Sequence, residues 1–152
     1  MNARRFSLDS NLLVYFHDPR DRNKQAVAQQ IVIDAASRDC IIGLQTAGEF
    51  YTAATRNKIL TPTDAGLGVT FFLATFPTFQ PTLDSHRIAA REAAAGRFSY
   101  WDSVLLASAA EAGCKILLSE DMKDGARLGN ITVRNPFGPS GLSAAAAAAL
   151  AP

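Results

Sequence analysis

Histidine and cysteine are scarce in this chain, with two of each. Neither residue type forms a cluster with zinc-ligand spacing, which excludes a Cys/His metal site. Cys40 and Cys114 each stand at the start of an apolar run, where a reduced thiol acts as a small buried hydrophobe. An excess of charge of either sign is also missing: 15 basic residues face 14 acidic ones. A nucleic-acid partner must therefore be held by local patches rather than by a global basic field. No segment approaches the roughly 18 apolar residues of a membrane span. The start "MNARR" has the charge of a signal peptide, but Asp9 interrupts the short apolar stretch after it, so the chain is expected in the cytoplasm. A Gly-rich phosphate loop of the Walker type is absent as well.

What the chain does have is core-forming material. Hydrophobic residues make up 48% of its 152 positions and charged ones 19%, enough for one folded domain. Apolar patterning predicts a strand over Arg5 to Leu8, a short helix from Asn11 and a helix over Lys24 to Arg38. "CIIG" reads as a buried strand. Helices are predicted over Thr46 to Asn57 and Thr63 to Thr75, with Pro62 as a start signal. "TFQP" is a candidate third strand, followed by a helix over Asp84 to Ala95. An amphipathic helix is predicted over Trp101 to Ala112, closed by Gly113. "KILLS" is the next strand and "ITVRN" the last. Strands alternating with helices imply an α/β fold with a mostly parallel sheet covered on both faces. After Gly138 the composition changes, dividing the chain into a domain over 1–138 and a low-complexity, Ala-rich tail over 139–152. That tail carries no chemistry, so removing it from Ser140 onward is expected to leave any activity intact.

Asp9 sits between the apolar residues Phe6 and Leu8 and the run Leu12 to Phe16, where a lone charge is costly unless something pairs with it. In parallel α/β sheets, sites form beyond the carboxyl ends of the strands. Four carboxylates fall there: Asp9 after the first strand, Glu49 in the helix after "CIIG", Asp102 at a helix start, and Asp121 directly after "KILLS". Each also has a plain structural reading. Asp9 suits a helix cap, Asp102 a capping arrangement with Ser99, Asp121 a turn and Glu49 a solvent-facing position. Crowded at one sheet edge, the four would repel one another and raise each other's pKa values. A divalent cation removes that conflict, and carboxylates without thiolates or imidazoles favour Mg²⁺ or Mn²⁺.

The ordered segments "LDSNLLVY", "AGEFYTAATR" and "FSYWDSVLLASAAEAGCKILLSEDMKDG" resemble PIN-domain nucleases, most closely the VapC-type toxins of bacterial toxin–antitoxin pairs. The resemblance covers roughly Arg5 to Pro136. It implies a PIN-like three-layer α/β/α fold and an acidic metal site of Asp9, Glu49, Asp102 and Asp121. Asn11 matches a polar position that follows the first Asp, Ser119 a hydroxyl that supports the site, and Asp124 an outer-shell acid. Glu120 is expected to face solvent. The implied activity is hydrolysis of RNA phosphodiesters assisted by one ion or two. The implied partners are RNA, a small antitoxin and a second copy of the chain.

Metal-assisted hydrolysis needs no covalent protein intermediate, so His17 and His86 are read as surface or helix-end residues. Arg56, Lys58, Arg97, Lys123 and Arg127 are candidate phosphate contacts. Tyr100 and Trp101 beside Asp102 could stack on a base, although core packing is the expectation for Trp101. "GLGVTFFLATF" holds more apolar residues than one core-facing stripe needs, which suits either a partner surface or a fully buried helix. Two rival functions remain. An aspartyl-phosphate phosphatase would want an Asp two residues after Asp9, where this chain has Asn11. A PIN-like nucleic-acid-binding module without catalysis would not need all four acids.

Overall fold

The computed structural model describes residues 4–152; the first three residues of the signal-like start "MNARR" lie outside them. In chain order the elements are β1 (Phe6–Leu8), α1 (Ser10–His17), α2 (Arg22–Ala35), β2 (Ile42–Gly43), α3 (Leu44–Arg56), α4 (Pro62–Thr75), β3 (Thr78–Phe79) and α5 (Leu83–Ala94). Then follow α6 (Tyr100–Glu111), β4 (Ile116–Leu118), β5 (Arg127–Leu128), β6 (Ile131–Arg134), β7 (Phe137–Gly138), β8 (Gly141–Leu142) and α7 (Ala144–Leu150). One sheet runs in the order β1-β4-β6-β5, parallel except for β5. Strands β2 and β3 form a parallel pair that a bridge between Phe6 and Cys40 ties to β1. The mostly parallel α/β sheet expected from the sequence is present.

The short strands β1, β2 and β4 are stable because both of their faces are buried or nearly so. Successive side chains on a strand point to opposite faces. Leu118 accordingly joins the core under α1 to α4, and Leu117 joins the core under α6. Both cysteines are buried, free thiols, and burial pushes their pKa values up. Gly68 lets α4 approach α3, since a Cβ there would stand 2.9 Å from the Phe50 ring. That packing fixes the helix carrying Glu49.

Several features depart from the sequence reading. Helix α6 is not amphipathic: every residue from Ser103 to Ala109 is buried, as expected of a helix apolar all round. Helix α4 is the opposite case, with Leu67 at 64% and Phe71 at 47% exposure, so it is not fully buried. "ITVRN" is not the last strand. The β7–β8 hairpin follows it and spans the change of composition at Gly138. The Ala-rich segment then forms α7, started by Ser143, whose hydroxyl accepts from the Ala146 N–H at 3.1 Å. Ala146 and Leu150 are buried in the core beside α2, and Arg38 donates to the Leu150 carbonyl at 2.8 Å.

Removing residues 144–152 is therefore expected to cost stability, roughly 2–4 kcal/mol from the lost apolar burial. Denaturant midpoints of the truncated and parent chains measure it. Equal midpoints would mean that α7 contributes nothing to the core.

Candidate active site

The carboxyl ends of β1 and β4 lie side by side. The Asp9 N–H donates to the Leu118 carbonyl at 3.0 Å, so Asp9 continues the ladder by one residue before the chain turns into α1. Its side chain caps that turn, accepting from the Ser10 N–H at 2.7 Å. Its other oxygen accepts from the Ser119 hydroxyl at 2.7 Å. Ser119 Oγ in turn receives the Asp121 N–H at 3.2 Å and Asn11 Nδ2 at 3.3 Å. One hydroxyl thus uses its single proton and both lone pairs. Asn11 Nδ2 also reaches Asp121 Oδ2 at 3.1 Å.

The network continues to α3. Ser10 Oγ donates to Glu49 at 3.2 Å, and Gln45 Nε2 donates to the other Glu49 oxygen at 2.7 Å. Gln45 also holds the Trp101 carbonyl at 3.2 Å, beside Asp102. Ser99 caps α6 by accepting the Asp102 N–H at 3.2 Å. The capping readings of Asp9 and of the Ser99 position therefore hold.

Burial lifts the Asp9 carboxyl to about 6; the bonds from Ser119 and Ser10 pull it down, and the charges of Glu49 and Asp121 push it up. Burial also raises Asp102, the Ser99 contact lowers it, and Asp121 adds to the rise. Asp121 thus acts on both Asp9 and Asp102. Among the described residues Asp124 makes no hydrogen bond to these acids; it pairs with Arg134 at 3.2 Å and accepts the Asn135 N–H at 2.9 Å.

Gln45 and Ser10 were not singled out by the sequence reading, although the i,i+4 spacing of Gln45 and Glu49 marks them as neighbours on one helix face. Glu120 does not simply face solvent. It accepts from Tyr15 Oη at 2.8 Å and pairs with Lys24 at 2.7 Å. Trp101 is not a core residue, at 59% exposure. It lines an open pocket of about 670 Å³ with Ser10, Gln45, Glu49, Arg56 and Asp121. Of the candidate phosphate contacts, Arg56 alone lines this pocket, while Arg97 is paired with Glu92 at 2.6 Å.

A hard divalent cation fits this donor set in chemistry and charge. All of the ligating groups are oxygens, and the buried amide oxygens of Asn11 and Gln45 have no hydrogen-bond partner. The cage is not closed. Among the described residues no three His, Cys, Asp or Glu side chains converge tightly enough to grip one ion. The carboxylates are held by protein donors instead.

No protein-family model and no curated protein matches the chain. Solved structures do. A DNA-bound VapBC complex from Salmonella typhimurium is similar at 20% identity and a TM-score of 0.62, covering 87% of this chain and 98% of that one. A toxin–antitoxin complex from Klebsiella pneumoniae is similar at 19% identity and 0.61, covering 86% and 97%. VapC20 from Mycobacterium tuberculosis, a sarcin–ricin loop cleaving toxin, is similar at 14% identity and 0.60, covering 79% and 90%. The fold is that of the PIN-domain VapC toxins. In this fold Asp9 and Asp121 stand at the ends of β1 and β4, and Glu49 and Asp102 on α3 and α6. Among the described residues, no helix is long and apolar enough to cross a membrane.

Asp9 gives the metal-free protein a pH dependence with a definite sign. Its folded pKa, about 6, lies above the ordinary 3.8. Its contribution is therefore most favourable below about pH 4 and declines as pH rises toward 6; beyond that, ionised Asp9 costs on the order of 3 kcal/mol. In chelator, Asp9→Asn is expected to be more stable than the parent near pH 7 and close to it near pH 4. Parallel stability curves for the two proteins would contradict this assignment.

Proposed function

We propose that this chain is a metal-dependent endoribonuclease that acts as the toxin of a toxin–antitoxin pair. The observation that carries the reading is the hydrogen-bonded row of acids at the ends of β1 and β4, set in a fold shared with an RNA-cleaving toxin. Asp9, Glu49, Asp102 and Asp121 would hold Mg²⁺ or Mn²⁺, which supplies Lewis-acid activation of water and of the scissile phosphate. The chain's own groups do the positioning. Ser119 fixes the rotamer of Asp9, Asn11 that of Asp121, and Ser10 with Gln45 that of Glu49. Arg56 pairs with no carboxylate among the described residues, which leaves its guanidinium available for a backbone phosphate. The unclosed cage favours a second reading, a binding module of the same fold without catalysis.

Expression of the parent chain alone is expected to arrest growth and cleave RNA. Asp9→Asn, Asp102→Asn or Asp121→Asn at matched protein level should lower cleavage at least a hundredfold. Mg²⁺ or Mn²⁺ should raise the melting temperature of the parent more than that of Asp102→Asn. Equal growth arrest by parent and Asp9→Asn would leave sequestration or aggregation as the cause of harm and remove the nuclease reading.

The similar structures include toxin–antitoxin complexes, and we extend that partnership to this chain, together with self-association as a two-fold dimer. The exposed Leu67 and Phe71 line an apolar pocket of about 480 Å³ with Phe16, His17, Leu60 and Gly68, a surface suited to a small protein's apolar side chains. Leu67→Ser with Phe71→Ser should leave the melting temperature nearly unchanged and weaken co-purification of the protein encoded alongside. Undiminished co-purification and an unchanged oligomeric state would place both interfaces elsewhere.

A further inference from the structure

The indole of Trp101 stands exposed at the rim of the acidic pocket, although an aromatic of this size normally gains most by burial. Nothing about its setting is loose. It occupies the first turn of α6 between the cap Ser99 and the buried stretch that begins at Ser103. Its carbonyl is tied to Gln45, the same side chain that holds Glu49. Tyr100 meets its ring at 86° with centroids 5.4 Å apart, and His86 meets it at 86° and 6.2 Å. A hydrogen bond of 2.7 Å between His86 Nδ1 and Tyr100 Oη joins those two supports and ties α5 to the start of α6. The ring is buttressed from its own side and open on the pocket side. Arg56, Glu49 and Asp121 line the same pocket.

An immobilised, exposed aromatic next to a phosphate-cleaving centre has the chemistry of a base-stacking platform. Stacking tolerates any base because every base has a π face. It requires an unpaired one, which selects single-stranded or looped RNA over a continuous duplex. Pre-ordering the ring reduces the entropy lost on binding. The same pocket holds a cation, Arg56, for the backbone, so its lining suits both halves of a nucleotide.

We propose that Trp101 is the stacking platform for an unpaired base flanking the scissile phosphate, with Arg56 of the same pocket contacting the backbone. The proposal rests on the ribonuclease reading above and adds to it the residue that places the substrate. Trp101 is the chain's one tryptophan, so its fluorescence reports the contact directly.

The test uses the full chain carrying Asp9→Asn, with Mg²⁺ present, and a short unstructured oligoribonucleotide of mixed sequence. Binding should quench the tryptophan emission. Adding Trp101→Ala should weaken binding about tenfold or more, the loss expected for one stacked base, with little change in melting temperature because the ring is exposed. Trp101→Phe should recover most of the affinity. An abasic site walked along the oligonucleotide should erase the difference between Trp and Ala at one position. Unchanged affinity in Trp101→Ala overturns the proposal, and so does its loss of self-association or of antitoxin binding with RNA affinity intact, which would assign the ring to a protein interface. The two readings fail separately. Quenching and stacking by a protein whose parent cleaves nothing support the platform and sink the nuclease. Cleavage by the parent that Trp101→Ala leaves untouched does the reverse.

Discussion

The bond from the Ser119 hydroxyl to Asp9 joins the ends of the two strands on which the site is built. Backbone pairing sets β1 beside β4 in parallel register, with Leu8 opposite Leu118. One residue further on, each strand presents a polar side chain, and these two find each other. Because Ser119 also receives the Asp121 N–H and the Asn11 amide, a single oxygen fixes three other residues of the pocket. Replacing it with alanine would leave Asp9 buried with a donor missing, and the loop at Asp121 without its anchor.

Like charge is the opposing constraint. Burial is the larger cause of the raised proton affinity of Asp9 and Asp102; the charges of Glu49 and Asp121 add to it at Asp9, and that of Asp121 at Asp102. The fold answers with neutral donors rather than with lysine or arginine side chains: two serines, an asparagine and a glutamine point their O–H and N–H groups at the acids. Neutral donors orient carboxylates without cancelling their charge, so the pocket stays attractive to a cation. A salt bridge in their place would have quenched the field it was meant to shape.

Much of this was legible in the sequence because the decisive elements carry strong local signals. "FSL", "ILL" and "ITVR" are apolar runs bounded by polar residues, and each appears as a strand. Asp9 and Asp121 were readable because they follow strands and Asp102 because it opens a helix, whereas Glu49 lies inside α3. Strands β5, β7 and β8 have two residues each, too short for any periodicity to register. The burial of α6 was missed because its serines look polar in sequence. Ser103 and Ser108 instead return their hydroxyl protons to backbone carbonyls at 2.8 and 2.7 Å, and so sit in the core without an unmet bond. The exposure of Trp101 was missed for the converse reason: residue type argued for burial, and only the three-dimensional setting shows the ring propped open. Asp124 was read as an outer-shell acid from the family resemblance, and its carboxylate is engaged by Arg134 and the Asn135 N–H.

The link between Arg38 and the Leu150 carbonyl joins positions 112 apart along the chain. During synthesis, α2 is made early and its flank beside α7 stays uncovered until Ala146 and Leu150 have left the ribosome. Contacts of such long range form late and slow the closing of the core. The acids, by contrast, depend on β1, α3, α6 and β4, all of which precede the hairpin. A nascent chain can therefore assemble the chemistry-bearing edge of its sheet before it seals the opposite side. In that interval the flank of α2 that Ala146 and Leu150 will cover stays open to solvent.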